Sequence, residues 1–317
     1  MRALCRSLCY AGFHHRLPAG GLLVLAAAVV LALSAAAAQG QALGQLYIEA
    51  LDDEGQVVPD LTARDFIVLE DDTRVNIVSA ERVGPMKVAL LVDNGERMSE
   101  LAAYYPARDA VGAFLDTLGP EHEVALFTIA RSIQRRVDFT MDRAALRQSV
   151  EDMVLDSGGG TLLLDGIREI WDSYYEGDDT LPAMVVILTD GPEGSRNYND
   201  AEFAELVDRL IFNGIMVNVV QLSGLSGRSR GGEISTMPEY ARSIAENTGG
   251  VYETITTATG MPEWMERYAE RLNTHYAGMS KRYRLRYEPP DPRGAQISAG
   301  ARPGVNIRLF TDVRMEQ

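Results

Sequence analysis

Two aspartates stand where a run of apolar residues stops: Asp93 follows Val88–Val92, and Asp190 follows Met184–Leu188 and Thr189. Runs of this kind read as strands buried on both faces, so each delivers one carboxylate at a strand's carboxyl end. In an open parallel sheet the crevice outside those ends is where ligands sit, and the two carboxylates are expected to face each other across it. Such a pair could hold a cation, be bridged by an arginine, or act as the two carboxyl groups of a hydrolase.

Little else in the sequence has the makings of a catalyst. Beyond the first 38 residues only two histidines occur, His122 ahead of a strand and His275 near a helix end, and both are expected as ordinary core or surface residues. No nucleophile elbow, Walker A loop, dinucleotide fingerprint or His-Glu-x-x-His helix is present. The glycines Gly158–Gly160 lead directly into Thr161 with no lysine near to hold a phosphate. The expectation is a protein that is not an enzyme and has no cofactor.

From Met86 onward, apolar strand runs alternate with segments of helical period. That pattern predicts an α/β fold: a doubly wound, mostly parallel sheet with helices on both faces, of Rossmann-like type. Pro106–Leu118 places Val111, Phe114, Leu115 and Leu118 on one helical face, ended by Gly119-Pro120, and Val124–Ala130 is the next strand. Arg135–Phe139 reads as a short edge strand. Leu146, Val150 and Met153 mark a second helix, and Leu163, Ile167, Ile170, Trp171 and Tyr174 stripe a third. Ala201–Phe212 is a helix and Ile215–Leu222 a strand, followed by a Gly-, Ser- and Arg-rich loop at Leu225–Ser235. Thr236 and Glu239 predict a capping box for the helix that ends at Gly249-Gly250. Val251–Ile255 closes the sheet, and Trp264, Met265, Tyr268, Leu272 and Tyr276 stripe a last helix.

The flanking segments are β-rich. Leu46–Leu51, Phe66–Leu69 and the Val75, Ile77 stretch read as strands before Pro85, and alternation at Tyr283, Leu285, Tyr287 and at Val305, Ile307, Leu309 predicts two more at the far end. The expected organisation is an amino-terminal β segment over 43–84, an α/β domain over 85–279, and carboxyl-terminal strands over 280–317 that pack with the first segment into a small β module.

Ahead of all this, Arg2, Arg6 and Arg16 precede the apolar run Leu22–Leu33 and the small residues Ser34–Ala38. Residues 1–38 therefore read as a secretory signal, with an uncleaved anchor over Gly20–Ala38 as the alternative. Both cysteines, Cys5 and Cys9, fall in this segment, so the mature chain would carry neither disulfide nor thiol. Cleavage removes three arginines and no acid, which moves the formal net charge from −15 to −18. So acidic a surface repels nucleic acid and anionic lipid and complements a basic partner.

From about Gln45 to Leu309 the order of segments resembles the von Willebrand factor A family, and more closely its secreted bacterial branch described as VWFA-related. The resemblance rests on the β segment Val57–Phe66, the Gly-Gly-Thr at Gly159–Thr161, the Leu-Thr-Asp-Gly at Leu188–Gly191, and Thr248-Gly249-Gly250. It implies a metal-ion-dependent adhesion site, in which an Asp-x-Ser-x-Ser loop, a threonine and a second aspartate hold a divalent cation. Asp93, Thr161 and Asp190 match three of those five positions, while Gly95 and Arg97 replace the two serines. The site is therefore expected to be degenerate, with Arg97 substituting for the ion by bridging Asp93 and Asp190, or with Mg²⁺ or Mn²⁺ held weakly through extra waters.

What the resemblance implies for function is protein–protein interaction or adhesion by an exported, periplasmic or extracellular protein. The binding rim would comprise Arg97 and Met98–Tyr105, with Tyr104 and Tyr105 as its aromatic contacts, together with Ser157–Thr161, Gly191–Asn199 and Leu225–Ser235. The partner is expected to be a protein, of basic character, with no role for nucleic acid and none for a membrane once the signal is cleaved. The alternative is a structural envelope component whose β module docks into a larger assembly while the site stays inert.

Overall fold

Six strands form the central sheet in the order β10-β9-β8-β5-β6-β7. They are β5 (Met86–Val92), β6 (Glu123–Ile129), β7 (Ile133–Thr140), β8 (Leu181–Thr189), β9 (Met216–Leu222) and β10 (Tyr252–Ile255) in a computed structural model. The structure describes residues 43–310 apart from 157, 159, 197, 225–235, 293 and 295. All neighbours are parallel except β6 and β7. Every residue of β8 and β9 is buried, which is why these segments show no polar alternation in the sequence. The edge strand β7 is antiparallel and carries exposed Arg135 and Arg136, charges that discourage further pairing.

Successive side chains point to opposite faces, so the same strands feed two cores. Val88, Leu90, Val185 and Ile187 pack under helices α2 (Tyr104–Thr117), α3 (Arg143–Glu151) and α7 (Met261–Met279). Ala89, Leu91, Val186 and Leu188 pack under α4 (Leu163–Ile170), α5 (Asp200–Phe212) and α6 (Met237–Asn247). Between β5 and α2 lies one short helix, α1 (Glu96–Glu100).

Two details of the helices depart from the sequence expectation. Helix α4 runs into one π turn, Trp171–Tyr175, closed by Glu176 N–H donating to Trp171 O at 2.9 Å. The extra residue rotates the stripe, so Tyr175 rather than Tyr174 is fully buried, and its hydroxyl donates to Ala183 O at 2.9 Å. The capping box predicted at Thr236 and Glu239 does not form; the Thr236 side chain makes no cap bond, and its carbonyl accepts from Glu239 and Tyr240 instead. A capping box does occur on α5, where Asn199 Oδ1 accepts from Ala201 N and Glu202 N while Glu202 accepts from Asn199 N at 2.7 Å.

Strands from the two ends of the described chain pair with one another. β1 (Gly44–Leu51) lies between β11 (Arg282–Glu288) and β13 (Asn306–Phe310), and β11 pairs with β4 (Asn76–Arg82), all antiparallel. A second sheet joins β12 (Ile297–Ala301), β2 (Phe66–Glu70) and β3 (Thr73–Arg74). Between them Leu46, Ile48, Phe66, Val68, Tyr283 and Leu285 form a separate core, with the Phe66 and Tyr283 rings 5.6 Å apart. Tyr47, on the opposite face of β1, packs into the core beneath α7. Arg284 and Arg286 of β11 both pair with Asp179, in the loop that feeds β8. The expected signal at 1–38, with both cysteines, lies outside the described residues, as do residues 311–317. No helix among the described residues is long and apolar enough to cross a membrane.

Candidate functional site

The chain leaves β5 to one side for β6 and β7, then returns to place β8 against β5's other edge, so the switch point of the sheet falls between β5 and β8. Val92 is level with Ile187 in that pair, which brings Asp93 and Asp190 to the same lip, as the sequence predicted. Their surroundings there are unlike.

Asp93 is wholly buried. One carboxylate oxygen accepts from Gly95 N at 2.9 Å, and the other accepts from the backbone N–H (3.2 Å) and hydroxyl of Thr189. Thr189 O in turn accepts from Gln221 Nε2 at 3.0 Å, and the Gln221 side-chain carbonyl accepts from the Tyr252 hydroxyl at 2.6 Å. The carboxyl ends of β5, β8 and β9 are thus laced by side chains, with Tyr252 at the start of β10 reaching up to join them.

Asp190 faces a guanidinium. Arg97, in the first turn of α1, donates from Nε to one carboxylate oxygen and from Nη2 to the other at 3.1 Å, a two-pronged fit that arginine geometry favours. Gly224 N donates to the same carboxylate at 2.7 Å. Arg97 also reaches Glu100 through Nη1 at 3.0 Å. A β-carbon on Gly224 would stand 2.6 Å from Arg97 Nη2, so a side chain there would displace the guanidinium. Burial alone would raise the Asp190 carboxyl, but the Arg97 bonds and the Gly224 N–H outweigh it and hold the group below its ordinary value. The Asp190 hydrogen bond correspondingly stabilises the charged form of Arg97.

Thr161 completes the triangle. Its N–H donates to Pro192 O at 2.9 Å and its carbonyl accepts from Gly194 N at 2.8 Å, which zips the second loop to the third. Only glycine permits this approach at position 160, where a β-carbon would fall 2.4 Å from Pro192 O. The threonine is 4% exposed, and its hydroxyl makes no hydrogen bond among the described residues. Asp165 supports the same loop, accepting from Arg196 N and from Arg168, while its own N–H donates to Ser195 Oγ at 2.9 Å. Asp93, Glu96, Arg97, Glu100, Thr161 and Asp190 line a cleft of about 270 Å³.

These residues do not fit a divalent cation as they stand. Both oxygens of Asp93 already accept from fixed donors, and both oxygens of Asp190 carry a guanidinium, whose positive charge would repel an ion bound to the same carboxylate. No cluster of three or more His, Cys, Asp or Glu side chains suited to a metal occurs among the described residues. The expectation that Arg97 bridges the two aspartates needs correction as well. Arg97 joins Asp190 to Glu100, and Asp93 is satisfied without it because Gly95 and Thr189 present three donors first.

The rim is likewise only partly as expected. Met98 is not on it: the short helix α1 turns the side chain inward, where it is fully buried. Ala102, with a left-handed φ of 51°, stops α1 after one turn. Tyr104 is half-buried and its hydroxyl donates to Met153 O, whereas Tyr105 is 69% exposed and stands edge-on to the Tyr104 ring. Arg108 lies over both rings. Val154, 71% exposed, was not legible as a rim residue; its carbonyl accepts from Asn94 Nδ2 at 2.8 Å and so fixes it beside the first loop. Glu193, within the expected Gly191–Asn199 stretch of the rim, turns inward: its carboxyl is pushed up by burial and accepts from Ser195 N at 2.8 Å. Of the expected rim, residues 157, 159, 197 and 225–235 lie outside the described residues. His122 and His275 are both buried, away from the cleft, and His122 Nδ1 accepts from Met86 N at the amino end of β5.

Residues 88–193 match the sequence model of the von Willebrand factor type A domain. A search of curated proteins found no match. Among solved structures, the chain is similar to a von Willebrand factor type A protein from Catenulispora acidiphila, at 15% identity and TM-score 0.48, over 74% of this chain and 51% of that one. It is similar to the conserved hypothetical protein BatB from Bacteroides thetaiotaomicron at 16% identity and TM-score 0.45, over 60% and 100% of the two chains. It is also similar to proximal thread matrix protein 1 from the mussel byssus at 15% identity and TM-score 0.47, over 61% and 49%. The chain thus spans about half the length of the first and last of these structures. The matched segment contains β5, β6, β8 and all three of Asp93, Thr161 and Asp190, so the similarity to the von Willebrand factor type A domain covers the part of the sheet that carries the cleft.

Proposed function

We propose that the carboxyl edge of the central sheet is the protein-binding face of an exported protein, and that it binds without a divalent cation. The observation that carries this reading is the Arg97 fork on Asp190, which puts a fixed positive charge where the family pattern calls for an ion. Exposed Tyr105 and Val154 beside the first loop add the apolar and aromatic area that protein recognition uses. Export is supported by the arginines ahead of the Leu22–Leu33 run and the small residues that follow it.

The metal question has a direct test. Restoring the family pattern with Gly95→Ser and Arg97→Ser together removes the guanidinium and supplies two hydroxyls. A β-carbon at position 95 would sit 3.1 Å from Asp93 Oδ1, close enough that the carboxylate must give slightly but need not leave. Calorimetric titration should then show Mg²⁺ or Mn²⁺ binding by the double variant and none at micromolar concentration by the unmutated protein. Micromolar binding by the unmutated protein would falsify the cation-free reading. Amino-terminal sequencing of the protein recovered outside the cytoplasm tests export, with cleavage after Ala38 as the expected outcome.

A further inference from the structure

The cleft has the opposite polarity to the site its family pattern implies. A bound ion would offer positive charge to a partner's carboxylate. Among the described residues the cleft holds one cation, Arg97, and it is already engaged by Asp190 and Glu100. Four carboxylates, Asp93, Glu96, Glu100 and Asp190, line the cleft against that single guanidinium.

Two acceptors in it have no partner among the described residues. One is the exposed Glu96 carboxylate in the first turn of α1. The other is the Thr161 hydroxyl, on a residue that is 4% exposed and whose neighbours in the second and third loops are fixed by the backbone ladder. A buried hydroxyl left without a partner is costly, and one lining an open cleft is satisfied by whatever enters. About 270 Å³ is ample for the head group of one basic side chain.

Resting on the reading of this edge as a protein-binding face, we propose that the cleft receives a basic side chain of the partner, an ammonium or guanidinium held between Glu96 and the Thr161 hydroxyl. The ammonium of lysine brings three donors and no acceptor, and arginine five, which suits a pocket whose unspent groups accept. A carboxylate entering the same cleft would meet more carboxylates than cations among the described lining residues.

Ligand-observed NMR on the full chain tests this with three blocked amino acids, N-acetyl-lysine, N-acetyl-arginine and N-acetyl-glutamate methylamides. The expected result is saturable millimolar binding of the lysine or arginine probe, weakened at least fivefold by Glu96→Gln and by Thr161→Val, and no saturable binding of the glutamate probe. Glu96 is exposed, so its variant keeps the fold even if the threonine variant does not. Three outcomes overturn the proposal: no saturable binding of either basic probe, affinity unchanged by Glu96→Gln, or glutamate binding as tight as lysine. The parent reading fails separately, if capture of a protein partner ignores Tyr105→Ala and Val154→Ser. Partner capture that depends on those two residues, with no binding of basic probes, would retain the face and discard the basic side chain.

Discussion

Asp93 and Asp190 end neighbouring strands of one sheet, yet one is part of the scaffold and the other is part of a surface. Asp93 has no exposed atoms to speak of and three fixed donors, two from backbone N–H groups and one from a threonine hydroxyl. Asp190 shares its charge with an arginine at the mouth of a cleft, where both side chains keep some contact with water. Position at a strand end therefore does not decide a residue's role; the order in which donors reach the carboxylate does.

The contrast is sharpest in stability. Asp93→Ala leaves the Gly95 N–H and both Thr189 donors unpaired in a buried corner, and the expected loss is about 3 kcal/mol. Asp190→Ala leaves Arg97 a second partner in Glu100 and access to water, so its cost should be about 1 kcal/mol. Urea unfolding of the two variants measures the difference directly. Equal losses would erase the distinction between scaffold and surface.

Lowering the pH separates the cleft from the rest of the molecule by a second route. His275 is 4% exposed, and burial, reinforced by nearby Arg282 and Arg271, holds its pKa down to about 4. Burial lowers His122 as well, against the opposing pull of Glu121 and with Arg143 adding to it. In both, Nε2 is buried without a hydrogen-bond partner among the described residues. The unfolded chain takes up protons near pH 6.5 while the folded chain resists, so stability is complete above that value and falls as the pH drops toward 4. At pH 5 the His275 contribution alone amounts to about 2 kcal/mol lost. Asp190 behaves oppositely in range: its folded pKa is below the usual 3.8, so the Arg97 pair persists until the solution is more acid than that. Between pH 6.5 and 5.5, thermal unfolding should shift downward while probe or partner binding at the cleft, measured below the transition, stays constant. His275→Leu should flatten the stability profile over that window without changing cleft binding.

How much of this could be read beforehand varies with the kind of signal. The central strands were legible because burial on both faces leaves a run of apolar residues such as Met184–Leu188, and a run's end marks where a following aspartate must stand. β12 was not, because Ile297-Ser-Ala-Gly-Ala has one β-branched residue and earns its strand only by pairing with β2. The burial of Met98 depends on a one-turn helix too short to show a period, and the exchange of Tyr174 for Tyr175 depends on a π turn that no spacing rule anticipates. Arg97 was identifiable as the residue replacing a serine, but its choice of Asp190 and Glu100 over Asp93 depends on Thr189 and Gly95, whose contribution comes from backbone N–H groups that sequence does not display.

The smallest expected effect on stability concerns the rim. Tyr105 is 69% exposed, and its ring packs against Tyr104 and the overlying Arg108, so Tyr105→Ala should change unfolding free energy by less than about 0.5 kcal/mol. Its neighbour Tyr104, half-buried and bonded to Met153 O, should cost more when truncated although the two residues are adjacent in sequence and identical in type. An exposed aromatic ring with almost no role in folding is free to contribute to association, where tyrosine places large rigid area against a partner at little entropic cost. Side-by-side measurement of unfolding and partner capture for Tyr105→Ala therefore isolates the surface half of the comparison: stability unchanged and capture weakened assigns the rim to binding, whereas unchanged capture moves the partner off this lip altogether.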